Sequence, residues 1–204
     1  MAQTQTDICN SALQRVGAAT ILNITDNSRE ARACAVAYDS NRRSELRKRT
    51  WNFAKKRALL APDATAPAFG YKYSFSLPAD CVRVMLPDND PCLDWSVEGR
   101  KILTNLDQSP YLGSGAQPAA TGPALYLTYV ADITDCTQFD PNFYDVLCLS
   151  LAIDICEPLT QSNQKKQILN AEYKEAVEVA ALSKSFEVLP ETPVDDDWWL
   201  ARTR

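Results

Sequence analysis

Hydrophobic and polar positions alternate along the chain in two regimes. The first has the period of a helix. Residues 6–17 carry Ile8, Leu13 and Val16 on one face, with Thr6 as the expected N-cap and Gly17 as the residue that ends the helix. A loop over 18–27 leads into Asp26-Asn27-Ser28, which is cap chemistry, and a long helix is expected over 28–49. Its apolar face is Ala31, Cys34 and Ala35, Tyr38, then Leu46. Trp51, Phe53 and Ala54 anchor the end of this segment, and Leu59-Leu60-Ala61 lead to Pro62.

After a Pro/Ala/Thr loop over 62–70 the period falls to two. Tyr71, Tyr73 and Phe75 alternate with Lys72 and Ser74, which predicts a half-buried strand. A second strand is expected from Cys81 to Leu86. Residues 93–97 and 100–104 flank Glu98-Gly99, a two-residue hairpin signal with glycine second. Residues 106–123 are rich in Gly, Ser, Pro and Ala and predict a long projecting loop. Strand character returns over 124–133, with Leu125, Leu127 and Tyr129 on one phase.

Asp140-Pro141 is a cap followed by a proline at the first helical position. The helix it starts is expected to run to about Cys156 and stop before Pro158. It is apolar over 146–156 except for Ser150 and Asp154, which are four apart and share a face. So greasy a helix is central, and Asp154 reads as capped by a neighbour or facing a subunit seam. Ser162 or Asn163 begins a last helix to about Ser185, striped by Leu169, Tyr173, Ala176, Val177 and Ala180. The fold class is therefore α+β: a bundle of about four helices with an inserted small antiparallel β-sheet domain and an extended C-terminal tail. The expected divisions are an N-terminal helical part over 1–61, a β domain over 62–138, C-terminal helices over 139–185 and a partner-binding tail over 186–204.

The 204 residues contain no histidine, which excludes a Ser-His-Asp triad, a Cys-His dyad and any His-ligated metal. Gly113-Ser-Gly115 belongs to no phosphate-binding loop. No apolar run approaches a membrane span, and the first residues lack the pattern of a signal peptide. Seven cysteines without a CxxC pair read as small apolar residues in a reducing compartment. Cys81 reads as strand core. Asp195-Asp196-Asp197 is a poor cation site, because consecutive carboxylates point apart. No catalytic, cofactor or metal residues are expected.

Charge adds a candidate surface. The net charge is −5, yet residues 1–58 hold 11 Lys/Arg against 5 Asp/Glu, residues 59–140 hold 4 against 10, and residues 141–204 hold 6 against 11. The basic excess is concentrated in Arg42, Arg43, Arg47, Lys48, Arg49, Lys55, Lys56 and Arg57. This cluster reads as a solvated helix face, a nucleic-acid contact or a docking site for an acidic protein surface. A sequence pI near 4.8 argues against a dedicated DNA binder. The tail offers Asp195, Asp196, Asp197, Trp198, Trp199, Leu200, Arg202 and Arg204, with the paired tryptophans as anchors for a partner or for the chain's own core.

The order of elements, with particular stretches, resembles the tail tubular protein A and head-to-tail adaptor group of tailed bacteriophages. The stretches are Ile8-Cys-Asn-Ser-Ala-Leu-Gln-Arg-Val-Gly17, Arg43-Ser-Glu-Leu46 and Trp51-Asn-Phe-Ala-Lys-Lys-Arg-Ala58. They continue in Tyr73-Ser-Phe-Ser-Leu-Pro-Ala-Asp-Cys-Val-Arg83, Phe139-Asp-Pro-Asn-Phe143 and Leu151-Ala-Ile-Asp-Ile-Cys156. The resemblance spans 6 to about 185 and rests on ordering and spacing. It implies a structural virion protein, assembled in the host cytoplasm and located in the tail or neck. Copies would form a homo-oligomeric ring, typically of twelve, beneath the portal protein. The ring would extend the channel for double-stranded DNA and carry the tail nozzle or tail tube protein. No membrane contact and no enzyme activity are implied. On this reading the basic cluster serves subunit or portal contacts, and the tail docks on the portal or a neighbouring copy. The competing expectations are a virion-associated cell-wall or polysaccharide hydrolase and a small DNA-binding protein.

Overall fold

The computed structural model describes residues 4–85, 87, 93–106 and 124–187. Four helices, α1 (Gln5–Val16), α2 (Arg29–Lys48), α3 (Pro141–Thr160) and α4 (Asn163–Phe186), enclose one core together with six strands. The strands are β1 (Lys55–Leu60), β2 (Tyr73–Ser76), β3 (Cys81–Val84), β4 (Trp95–Glu98), β5 (Lys101–Thr104) and β6 (Leu125–Ala131). They form two antiparallel three-stranded sheets, ordered β1-β6-β3 and β2-β5-β4. The α+β class expected from the two periodicities is what the chain adopts.

Helix ends follow their capping residues. The Ser28 hydroxyl accepts from the Ala31 amide at 3.1 Å, and the Asp140 carboxylate accepts from the Asn142 amide at 2.7 Å. Gly17 closes α1 in the left-handed region at φ 82°. The start of α1 differs from expectation. Thr4, not Thr6, is the N-cap, because its hydroxyl and the Asp7 carboxylate form a reciprocal capping box.

Three further departures are physical. β1 occupies the end of the expected N-terminal helical part, so Lys55, Lys56 and Arg57 stand on a strand rather than a helix face. β1 lies at the edge of its sheet, where charged side chains are favoured and the apolar alternation is blurred. α3 continues through Pro158 to Thr160 and ends at Gln161, φ 53°. Pro158 sits exposed in the last turn, where water can supply the one hydrogen bond its ring forgoes. The hairpin turn is one residue later than expected. Glu98 pairs with Lys101, which sets opposite charges across the ladder and gives Gly99 the positive φ of 60°.

α3 is the centre of the helical part. Phe143, Val146, Leu147, Leu151, Ala152 and Ile155 are all buried, and the helix packs on α1, α2 and α4. The six described cysteines are free thiols, and all but Cys136 are buried. Burial pushes the Cys148 thiol up to about 12. No helix among the described residues is long and apolar enough to cross a membrane. The expected loop over 106–123, apart from Leu106, and the tail beyond Glu187 lie outside the described residues.

The smaller sheet carries a local electrostatic clasp. Asp63, in the loop before β2, accepts from Lys101 Nζ at 2.8 Å, Ser74 Oγ at 2.7 Å and Ser76 Oγ at 2.8 Å. The ammonium and then the two hydroxyls hold its carboxyl down to about 2. A carboxyl depressed in the folded state stabilises the fold above its unfolded value of 3.8 and loses that contribution as pH falls toward about 2. Asp63→Asn should therefore flatten the fall in denaturation midpoint between about pH 4 and about pH 2. A curve that keeps the wild-type slope would remove the clasp as its cause.

Candidate functional site

The basic cluster is not one face. Arg42 is buried, and its guanidinium reaches the Asp132 carboxylate, Asp39 at 3.4 Å and the Ile133 carbonyl at 2.7 Å. Arg43 pairs with the other oxygen of Asp132 at 3.3 Å. Arg47 donates to the Val82 carbonyl at 2.6 Å. Lys56 meets Asp80 at 2.8 Å, and Asp80 also accepts from the Tyr129 hydroxyl at 3.0 Å. These contacts fasten α2 and β1 to β3 and to the segment after β6. The charge division along the chain is thus largely consumed inside it. Basic residues before position 58 hold acidic residues after it.

Lys48 and Arg49 converge on Glu45, which is fully buried. One carboxylate oxygen accepts from Lys48 Nζ at 2.6 Å and from the Ser150 hydroxyl at 3.1 Å. The other accepts from Arg49 at 3.0 Å, and the Tyr173 hydroxyl lies 3.0 Å from both. Beside it Asn41 bridges Ser150 at 2.7 Å and Asp154 at 2.6 Å. Asp154 is therefore held by a neighbour, one of the two placements its position in an apolar helix suggests. Burial opposes the Lys48 charge, but the Glu45 carboxylate outweighs it and raises the ammonium's pKa. This network joins α2, α3 and α4 and is structural in character.

A cavity of about 380 Å³ opens where these elements end. Its walls come from the last turn of α2, the 3-10 turn Asn52–Ala54, Arg83 of β3, the start of α3 and the final turns of α4. Lys48, Arg49, Arg83 and Lys184 line it, with Trp51 and Ala180 as apolar floor. Its two carboxylates have other duties: Asp140 caps α3, and Glu187 accepts from the Asn52 amide. Arg83 donates to the Thr50 hydroxyl. Burial, then Lys55 and Arg83, lower the pKa of Lys184. The two carboxylates offset part of the charge of the four lining cations, and the lining stays net positive. Such a site receives carboxylate or phosphate oxygens.

Of the candidate residues, Lys48 and Arg49 line the cavity and Lys55 adjoins it, whereas Arg42, Arg43, Arg47 and Lys56 are engaged elsewhere. Arg57 is exposed on β1. The tail candidates, Asp195–Asp197, Trp198, Trp199, Leu200, Arg202 and Arg204, lie outside the described residues. Arg83 and Lys184 carry no motif. They share the cavity because α4, packed on α3, brings its last turns to the end of α2 and to β3, and sequence spacing holds no record of that. Among the described residues no three Cys, Asp or Glu are gathered as a metal site. No protein-family model matches the chain, and a search of curated proteins returns no match.

Proposed function

We propose that this chain is a structural virion protein, a head-to-tail adaptor whose copies assemble as a ring beneath the portal. The ring extends the DNA channel and carries the tail nozzle or tube. The observation that supports this best is the element order in space. Two helices from the beginning of the chain and two from its end make one helical body around α3, and the β strands are inserted between them. That is the layout the resemblance implies. A second feature fits. α4 leaves Val179, Leu182 and Phe186 exposed at 50%, 64% and 88%, while Leu22 and Val36 stand exposed on other elements. A heterologous ring contact joins two different faces of each copy, and exposed apolar side chains on separate parts of the chain suit it.

The basic cluster supports duplex binding less well, because six of its eight cations hold oxygens of their own chain. Purified chain mixed with its portal should give portal-bound rings by electron microscopy and native mass spectrometry. Val179→Glu with Phe186→Glu should leave a folded monomer that does not form them. Chain that stays monomeric beside the portal and makes no complex would defeat the proposal.

A further inference from the structure

The cationic cavity lies where the described fold ends. Glu187 is part of its rim, and the residues that follow include Asp195-Asp196-Asp197-Trp198-Trp199. We infer that this cavity is the binding site for the chain's own acidic-aromatic segment 195–199, seated in cis on Arg83 and Lys184 with Lys48, Arg49 and Lys55 around them. The inference concerns the chain alone and stands whether or not it forms a ring.

Three observations carry it. The first is charge. Lys48 and Arg49 share Glu45, but among the described residues Lys55 and Lys184 have no ion pair and Arg83 meets a hydroxyl, that of Thr50, and no carboxylate. Burial first, and then the charges of Lys55 and Arg83, lower the pKa of the Lys184 ammonium. Three aspartates in a row supply the missing sign, and charge-assisted contacts to Arg and Lys are among the stronger hydrogen bonds.

The second is an unmet polar group. Asn52 Oδ1 is buried without a hydrogen-bond partner, while the same side chain's amide donates to Glu187. A buried acceptor left empty costs about 1–3 kcal/mol, so a donor from the incoming segment would be favoured there. An indole N–H or a peptide N–H supplies one. The floor of Trp51 and Ala180 gives an indole apolar surface, and the neighbouring guanidinium groups can lie over its face.

The third is reach. Eight residues from Glu187 to Asp195 span at most about 28 Å when extended, ample to turn back over a cavity whose rim includes Glu187 itself. Attachment at the rim also sets a local concentration of about millimolar order, so modest contacts suffice to populate the docked state.

The test uses the full chain. An equal mixture of ¹⁴N- and ¹⁵N-labelled protein is treated with a zero-length carbodiimide cross-linker, and hydrogen exchange is followed over 195–200. Cross-links from Asp195–Asp197 to Lys184, Lys48 or Lys55 should join residues of the same isotopic label. Exchange over 195–200 should be slowed about tenfold against the same segment in Asp195→Asn/Asp196→Asn/Asp197→Asn protein, whose changes lie outside the described fold. Arg83→Glu/Lys184→Glu should release the segment equally, and combining it with three Asp→Lys changes should restore protection. Coil-like exchange in the wild type overturns the proposal, and so do rates indifferent to the aspartates. Cross-links of which about half carry mixed label, the statistical share for random pairing of copies, overturn it too, because the segment then binds another copy.

Discussion

Replacing Phe143 with alanine should destabilise the fold by about 3–5 kcal/mol, read as a fall in the denaturant midpoint with little change in slope. Phe143 is fully buried in the first turn of α3. Its ring lies 5.0 Å from Trp51 at 75°, 5.1 Å from Phe53 at 61° and 4.9 Å from Phe139 at 72°. Edge-on aromatic contacts add about 0.5–1.5 kcal/mol each beyond the area they bury. The cluster is also where α3 grips the segment that leaves α2 for β1, so a void here cannot be closed by shifting one helix alone. Phe143→Leu, which keeps most of the volume, should lose less than half as much. A domain of this size is stable by about 5–15 kcal/mol, so the alanine variant gives up a large share. A loss below about 1 kcal/mol for alanine would mean that the four rings are not the joint between the helical part and β1.

Part of this cluster is legible in the amino-acid sequence. Trp51 and Phe53 follow the end of α2 and Phe143 lies in the first turn of α3, and the cap chemistry of Asp26-Asn27-Ser28 and Asp140-Pro141 marks where the two helices begin. The strands of the smaller sheet follow from alternation and from Gly99. What stays hidden has three causes. β1 carries Lys55, Lys56 and Arg57 at an edge, where alternation of apolar residues is not required. α2 buries polar residues: after Ala31, Cys34 and Tyr38 the inward positions are Asn41, Arg42 and Glu45. The spacing of three and four continues without a break, and a search for apolar residues alone leaves two turns unexplained before Leu46. That gap is itself a signal, since a helix that faces a core for five turns must place something there. The cavity has no such signal, because Arg83 and Lys184 are brought together only by the packing of α4.

The division of charge along the chain also acquires a physical meaning. A basic segment and an acidic one can attract a partner, or each other. Here Arg42 and Arg43 take Asp132, and Lys56 takes Asp80. Reversing Arg42 would therefore test the folding of the chain before it tested assembly. Exposed residues such as Val179 and Phe186 are the cleaner probes of contact between copies.

Glu45→Ala should destabilise the protein by about 2–4 kcal/mol, and 1 M salt should leave most of that difference in place. The carboxylate is fully buried and receives four donors from three helices or their ends: Lys48, Arg49, Ser150 and Tyr173. Removing it leaves the four donors unequal. Lys48 and Arg49 side chains are 49% and 30% exposed and can turn to water. The Ser150 hydroxyl keeps Asn41, but the Tyr173 hydroxyl, half-buried between α2 and α4, has no other acceptor among its described contacts. The loss therefore stays below that of a fully enclosed ion pair and above that of a surface pair such as Glu157–Lys166. Glu45→Gln separates charge from shape. It fills the same volume, yet its amide nitrogen presents hydrogens to groups that are themselves donors, so at least one contact turns repulsive. Its midpoint should fall nearly as far as that of alanine. Tyr173→Phe alone should cost about 1 kcal/mol, and added to Glu45→Ala it should cost almost nothing more, because the two share one hydrogen bond. Strict additivity in that double mutant would show that Glu45 does not tie α2 to α4.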